Sequence, residues 1–321
     1  MVFNAIQAVL MILIIMAVGY FISYKGWVTK GVTSFISRLI INITMPCTAL
    51  MALMNNFSVE LAADSWRYIA AAFLSIGIAY GLAKLVIKIA KIEKTQRGVF
   101  TMLFAYSNSM FIGFPVAAAI FGDQALVYAL FYYIANTTFA NSLGYMETAR
   151  DGMEIKRLAT GAQAEAVKIP ARQLIKKLFQ PPMIAVIIGF VLVVLNIRLP
   201  DFLSSALNYI GNVTSPLALL FVGMILQQIG LSCLKQVDKK LTLAVVGRFL
   251  VSPLVMAAVA ALLVMPQLPS EVFIVQAGLP VMTSVTIFAE RCGADVGFAA
   301  KGILATSLLA FLAIPMYILL F

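Results

Sequence analysis

Two short patterns occur twice each in this 321-residue chain, about half its length apart, and every copy sits inside an apolar stretch. Asn42-Ile43-Thr44-Met45-Pro46 recurs as Asn212-Val213-Thr214-Ser215-Pro216, and Gly113-Phe114-Pro115-Val116 recurs as Gly278-Leu279-Pro280-Val281. A proline inside a helix removes a backbone donor and strands carbonyls, which is costly in hydrocarbon. Helix breakers at matching places in two hydrophobic halves point to a repeat-built transporter with interrupted helices.

The chain is 62% hydrophobic and only 11% charged, with a mean hydropathy of +1.00. Soluble domains carry about 25% charged residues, so most of this chain must lie in a bilayer. The apolar runs are continuous rather than alternating, which excludes a β-barrel. The first of them lacks a basic leader region and a small-residue cleavage site, so it reads as a retained span. Ten spans are expected, at roughly 3–23, 31–53, 66–90, 98–120, 124–147, 174–196, 202–229, 241–264, 271–289 and 297–320.

Loop charges alternate. One side carries Lys25 and Lys30, Lys91, Lys94 and Arg97, the connection from Arg150 to Lys177, Lys235, Lys239 and Lys240, and Arg291. The other carries Glu60, Asp64, Asp123, Asp201 and Glu271, with Arg67 and Arg198 as its basic residues. Lys and Arg collect on the cytoplasmic side, so both termini are expected outside a cell or inner membrane. This bias also accounts for the net charge of +10 without nucleic acid as a partner. The motif offsets of 170 and 165 residues give each half five spans. An odd number inverts the second half, and two inverted halves provide alternating access. The domain reading is therefore 1–147, a cytoplasmic linker at 148–173, and 174–321. The linker's second part, from Ala164 to Phe179, is basic and loosely amphipathic; it reads as a tether or as a helix on the headgroups.

The four proline sites differ chemically. Asn42, Thr44 and Pro46 in span two, with Asn212, Thr214 and Pro216 in span seven, read as helix kinks whose side chains satisfy freed backbone. Spans four and nine carry richer breaks: Ser107-Asn108-Ser109 before Gly113 and Pro115, and Gln276 with Gly278 and Pro280 before Thr283 and Ser284. Such a break suits unwound backbone lining a cavity, with half-helix N-termini presenting positive dipole ends to an anion. Asn136, an amide within span five, joins this substrate-binding set. Arg248 and Lys301 have two open readings: snorkelling to the cytoplasmic surface, or attraction of an anion into the cavity. No Asp or Glu falls at mid-membrane in spans three to five or eight to ten, so a paired-carboxylate proton relay is not expected. The chain has no histidine, and Cys47, Cys233 and Cys292 are scattered, so no metal site, cofactor or His-dependent enzyme is expected. Coupling to sodium or protons stays open, since a sodium ion could be held by amide and carbonyl oxygens around Asn108.

Gly278 to Ser284 with Ala289-Glu290-Arg291-Cys292-Gly293-Ala294-Asp295, and Ser107 to Pro115, resemble signatures of the auxin efflux carrier family. That family includes bacterial transporters of malonate and other organic acids and is related to plant PIN-type auxin exporters. The resemblance spans essentially the whole chain. It implies an all-α fold of two inverted five-helix repeats, shared with bile-acid symporters and sodium/proton antiporters, in which spans four and nine cross at mid-membrane. It further implies that spans one, two, six and seven form a dimerising scaffold and that spans three to five and eight to ten form a moving transport unit. A substrate carboxylate would sit near Asn108, Pro115 and Pro280. The expected function is secondary transport of a small organic anion by an elevator mechanism. The rivals are a sodium-coupled bile-acid-type symporter, an intramembrane enzyme and a non-transporting sensor.

Overall fold

The computed structural model describes residues 2–57, 59–161, 179–230 and 238–319, and among these the chain is all helical. Helix α1 (Val2–Tyr24) is followed by α2 (Lys30–Leu39), a π-helical turn (Ile40–Thr44) and α3 (Met45–Asn56). Next come α4 (Val59–Ile89), α5 (Arg97–Ala105), α6 (Gly113–Phe121), α7 (Ala125–Phe139), a second π turn (Ala140–Gly144) and α8 (Tyr145–Thr160). The second half holds α9 (Pro181–Val194), α10 (Asp201–Asn212), α11 (Thr214–Ile229) and α12 (Lys239–Val246). A third π turn (Gly247–Val251) leads into α13 (Ser252–Leu262), α14 (Gln267–Ala277), α15 (Ser284–Cys292) and α16 (Val296–Leu319). Among the described residues four helical stretches are long and apolar enough to cross a membrane: Gly31–Asn56, Asp64–Ile89, Asp201–Ile229 and Lys239–Leu262. Val9–Tyr24, Pro181–Val194 and Val296–Ala310 are shorter apolar helices.

Packing gathers the helices into two groups, which meet where α1 touches α6 and α16 and where α3 touches α7. In the first, α1 lies along α11, while α9 and α10 both pack on α3. A Cβ at Gly19 would strike the Leu220 backbone, and one at Gly223 would strike the Met16 backbone. Only glycine lets α1 and α11 approach so closely. Across this group Thr48 donates to the Gly211 carbonyl at 2.9 Å and shares a 2.8 Å hydrogen bond with Thr214, joining the two Asn-x-Thr-x-Pro segments. In the second group α4 packs on α7 and α13, α5 on α8, α14 on α7 and α13, and α15 on α8 and α16.

The kink residues behave unequally. Asn42 donates to the Arg38 carbonyl at 2.7 Å, and the π turn before Pro46 absorbs the missing amide hydrogen. Thr44, expected to satisfy freed backbone, instead leaves its buried Oγ1 without a partner among the described residues. Asn212 is exposed at the end of α10.

Residues 148–160, read from sequence as the start of a linker, continue the helix as α8. Arg150 pairs with Glu147 and Arg157 with Glu154 at three-residue spacing, which supports a helix here, and Gly161 ends it in the left-handed conformation at φ +67°. Residues 162–178, which hold most of the basic segment expected as tether or surface helix, lie outside the described residues, as do Lys235 and Cys233.

Candidate functional site

The helices that carry the two Gly-x-Pro motifs are both interrupted, at 106–112 just before Gly113 and at 278–283 across Gly278 and Pro280, and the two gaps meet. Between α5 and α6 the chain is extended at Tyr106, and Ser107 forms an antiparallel bridge with Val281 from the gap between α14 and α15. The Asn108 amide donates to the Pro280 carbonyl at 2.7 Å. Pro115 is the third residue of α6, where a missing amide hydrogen is harmless because that position has no intrahelical acceptor. Proline therefore dictates where the half-helix restarts.

Neighbouring side chains take the place of lost ladder bonds. Asn136 on α7 accepts the Ser107 amide at 3.1 Å and donates to the Ser107 carbonyl at 2.8 Å and to Ser109 Oγ at 3.1 Å. It pairs with the unwound strand as another strand would. Asn108 turns its Oδ1 back to the Phe111 amide at 3.1 Å, while its carbonyl receives Gly113 at 3.0 Å. Thr306 Oγ1 on α16 accepts the Val281 amide at 3.2 Å. Gln276 donates to the Gly113 carbonyl at 3.0 Å, and its packing leaves no room for a Cβ at Gly113.

Against this crossing lies a cavity of about 120 Å³. The unwound segments line it through Ser107 to Phe111 and Met282 to Ser284, α7 and its π turn through Tyr133, Asn136, Thr137 and Asn141, and α15 through Phe288. Ile41 and Gln180, from the first packing group, close it. Among the described residues no charged side chain lines it. Buried Asn108 Nδ2 has no partner among the described residues, while Ser107 lies against the Tyr132 hydroxyl. Thr283 and Ser284, the N-cap and first residue of α15, bring that half-helix's positive end to the wall. Gln96, next to α5, bonds Asp295, beyond α15, at 2.7 Å, so the cavity lies on the side of the crossing that carries Lys91, Lys94, Arg97 and Arg291.

Four of the nine residues assigned to substrate from sequence, Asn108, Asn136, Thr283 and Ser284, line this cavity. Gly113, Pro115, Gln276, Gly278 and Pro280 do not; they form the crossing itself. Asn136 reaches the cavity with its amide committed to the Ser107 backbone, so it is a brace for the loop.

Arg248 corrects one of its two readings. It is 0% exposed and does not snorkel. It sits in the π turn between α12 and α13, about 13 Å along the helix from Lys239 at 1.5 Å per residue, near the middle of a bilayer about 30 Å thick. Its Nη2 donates to the carbonyl of Ala277, the last residue of α14, so a full positive charge meets the negative end of that half-helix. Its Nε and Nη1 have no hydrogen-bond partner among the described residues. Tyr132 lies beside both Arg248 and Ser107, linking the buried cation to the cavity wall, although Arg248 does not itself line the cavity. Lys301 is partly exposed on α16 and lies away from the cavity.

Tyr133, Thr137, Asn141 and Gln180 escaped the sequence reading. Tyr133, Thr137 and Asn141 recur every four residues beside Asn136, a polar stripe at helical spacing that could have flagged them. Among the described residues no group of three His, Cys, Asp or Glu could hold a metal ion.

A family model described as "Membrane transport protein" matches residues 4–318. A protein of Methanocaldococcus jannaschii named as an uncharacterized transporter is 26% identical over 318 residues, covering 97% of each chain. Another uncharacterized transporter, from Methanothermobacter thermautotrophicus, is 25% identical over 315 residues, covering 97% of this chain and 96% of its own.

Proposed function

We infer a function from one premise: the chain belongs to the membrane transport protein family, the auxin efflux carrier family that its motifs resemble. It is a secondary transporter of a small organic anion, such as malonate or another short carboxylate, bound at the crossing of α5/α6 and α14/α15. Ten spans form two inverted repeats. The first packing group is the scaffold, through which two copies pair, and the second is the unit that moves.

The observation that carries this reading is an uncharged cavity with an unpartnered amide donor, Asn108 Nδ2, and a half-helix N-terminus in its wall. A carboxylate accepts hydrogen bonds without needing a donated partner, so it complements this wall better than a bare cation does. Cavity size separates the anion classes. A space of about 120 Å³ lies below the usual range for drug-sized ligands, which favours a small acid over a steroid-like amphipath. The cavity's place on the basic side of the crossing supports an inward-facing conformation.

The test is uptake of radiolabelled malonate and short monocarboxylates into proteoliposomes, with and without sodium. Asn108→Asp keeps the loop-bracing oxygen but replaces the donor with a negative charge, and is expected to abolish transport while melting near the wild-type temperature. Full activity in that variant would overturn the site. Strict sodium dependence would favour the bile-acid-type alternative.

A further inference from the structure

A second cavity lies outside the crossing. It measures about 460 Å³, lies between α4, α5 and α8 at the basic face, and shares no lining residue with the first. Five cations line it: Lys84, Lys88, Lys94, Arg97 and Arg150. The three carboxylates among them are engaged with the protein. Glu147 takes Lys84 at 2.5 Å, Arg150 at 3.1 Å and the Tyr80 hydroxyl at 3.1 Å. Asp151 spends its two oxygens on the Gly98 and Val99 amides at 2.8 and 2.9 Å, and Glu154 pairs with Arg157 at 2.6 Å. Lys88 and Lys94 are exposed and form no ion pair among the described residues. The surface left to a visitor is therefore positive.

The flank of the same cavity is greasy. Leu74, Ile78, Leu85 and Ile89 on α4 are 44%, 39%, 51% and 72% exposed, an apolar stripe that in a bilayer faces acyl chains. Leu85 and Ile89 each follow a cavity lysine by one residue, so the stripe and the basic pair Lys84 and Lys88 occupy adjoining faces of one helix. Cations at a span's cytoplasmic end beside a lipid-facing stripe meet a molecule with a negative head and two apolar tails.

We propose that this cavity binds the phosphate headgroup of an anionic phospholipid, with Lys88 and Lys94 on the phosphate and the acyl chains along the α4 stripe. Basic pockets between transmembrane helices on the cytoplasmic side recognise such headgroups. The site depends on the bilayer and not on what is transported, so it stands apart from the crossing.

The full-length protein is reconstituted in bilayers of phosphatidylcholine and phosphatidylglycerol, extracted in mild detergent and weighed intact by native mass spectrometry. Wild type is expected to retain phosphatidylglycerol over phosphatidylcholine. Lys88→Gln/Lys94→Gln is expected to lower that enrichment by about fivefold or more, from roughly fivefold per lysine. As a control for general surface charge, Lys25→Gln/Lys239→Gln removes two exposed lysines from the same face outside the cavity, and should leave the enrichment within about twofold of wild type. Equal loss in both pairs, no preference in wild type, or displacement of phosphatidylglycerol by millimolar inorganic phosphate would each overturn the proposal, the last by assigning the cavity to a soluble anion. Melting of both pairs in lipid-free detergent shows that they are folded, and transport by the Lys88/Lys94 pair is expected to persist in pure phosphatidylcholine.

Discussion

Arg248 donates a hydrogen bond to the carbonyl of Ala277, joining the π turn after α12 to the last residue of a half-helix inside the protein. A buried charge is costly, and replacing it with an apolar side chain of similar volume is often neutral or stabilising. Leaving the Ala277 carbonyl orphaned costs about 1–3 kcal/mol and works in the opposite direction. Arg248→Met should therefore melt within a few degrees of wild type. If the guanidinium supplies the field that holds the anion, transport in the same variant falls about tenfold or more, a loss of about 1.4 kcal/mol. Proteoliposome uptake alongside thermal melting checks this; a variant that keeps its activity removes Arg248 from the anion site.

Asn136 makes a different prediction because its amide belongs to the loop. Asn136→Ala orphans both the amide and the carbonyl of Ser107 in a buried place, costing about 2–6 kcal/mol at about 1–3 kcal/mol for each group. The expected result is a clear drop in melting temperature together with lost transport. A loss below about 1 kcal/mol would show that the crossing holds without this brace.

Asp151 sets a pH dependence. Burial pushes its carboxyl up from 3.8 to about 7, against the opposing pull of the Gly98 and Val99 amides. Between those two values the folded state holds a proton that the unfolded chain has released, so this group stabilises the fold increasingly as pH falls from 7 towards 4 and withdraws that contribution as pH rises through 7. Melting temperature in detergent should climb as pH falls from 7.5 to 6. Asp151→Asn should flatten that slope; an unchanged slope would assign it to other groups.

Two glycines separate close packing from chain flexibility. Gly223→Ala forces a Cβ into the Met16 backbone and should cost about 1–3 kcal/mol, opening the α1–α11 contact. Gly81→Ala, in α4 with nothing within 4 Å of the added carbon, should stabilise by about 0.4–1 kcal/mol. Paired melting curves decide; similar shifts of the same sign in both variants would contradict the packing account.

The interrupted helices were legible because Gly and Pro break or restart a helix by local stereochemistry alone: one gap lies across Gly278 and Pro280, and the other ends where Gly113 and Pro115 begin α6. Asn108 was legible too, as a polar side chain beside such a break. The burial of Arg248 was not. Distance from a span's end suggested a side chain able to reach water, and only the packing of α12 and α13 against α14 decides otherwise. Asn136 was chosen as an amide within a span, but its role depends on which of its atoms the Ser107 backbone occupies. Asp151, read as part of a linker, caps α5 from another helix 52 residues away in sequence through the Val99 amide. Such a pairing across the fold leaves no trace in local sequence.

The bridge between Ser107 and Val281 ties the middle of one half of the chain to the middle of the other. On the proposed transport reading the two stitched loops travel together, and the yielding falls at the seam where Ile41 and Gln180 touch the cavity.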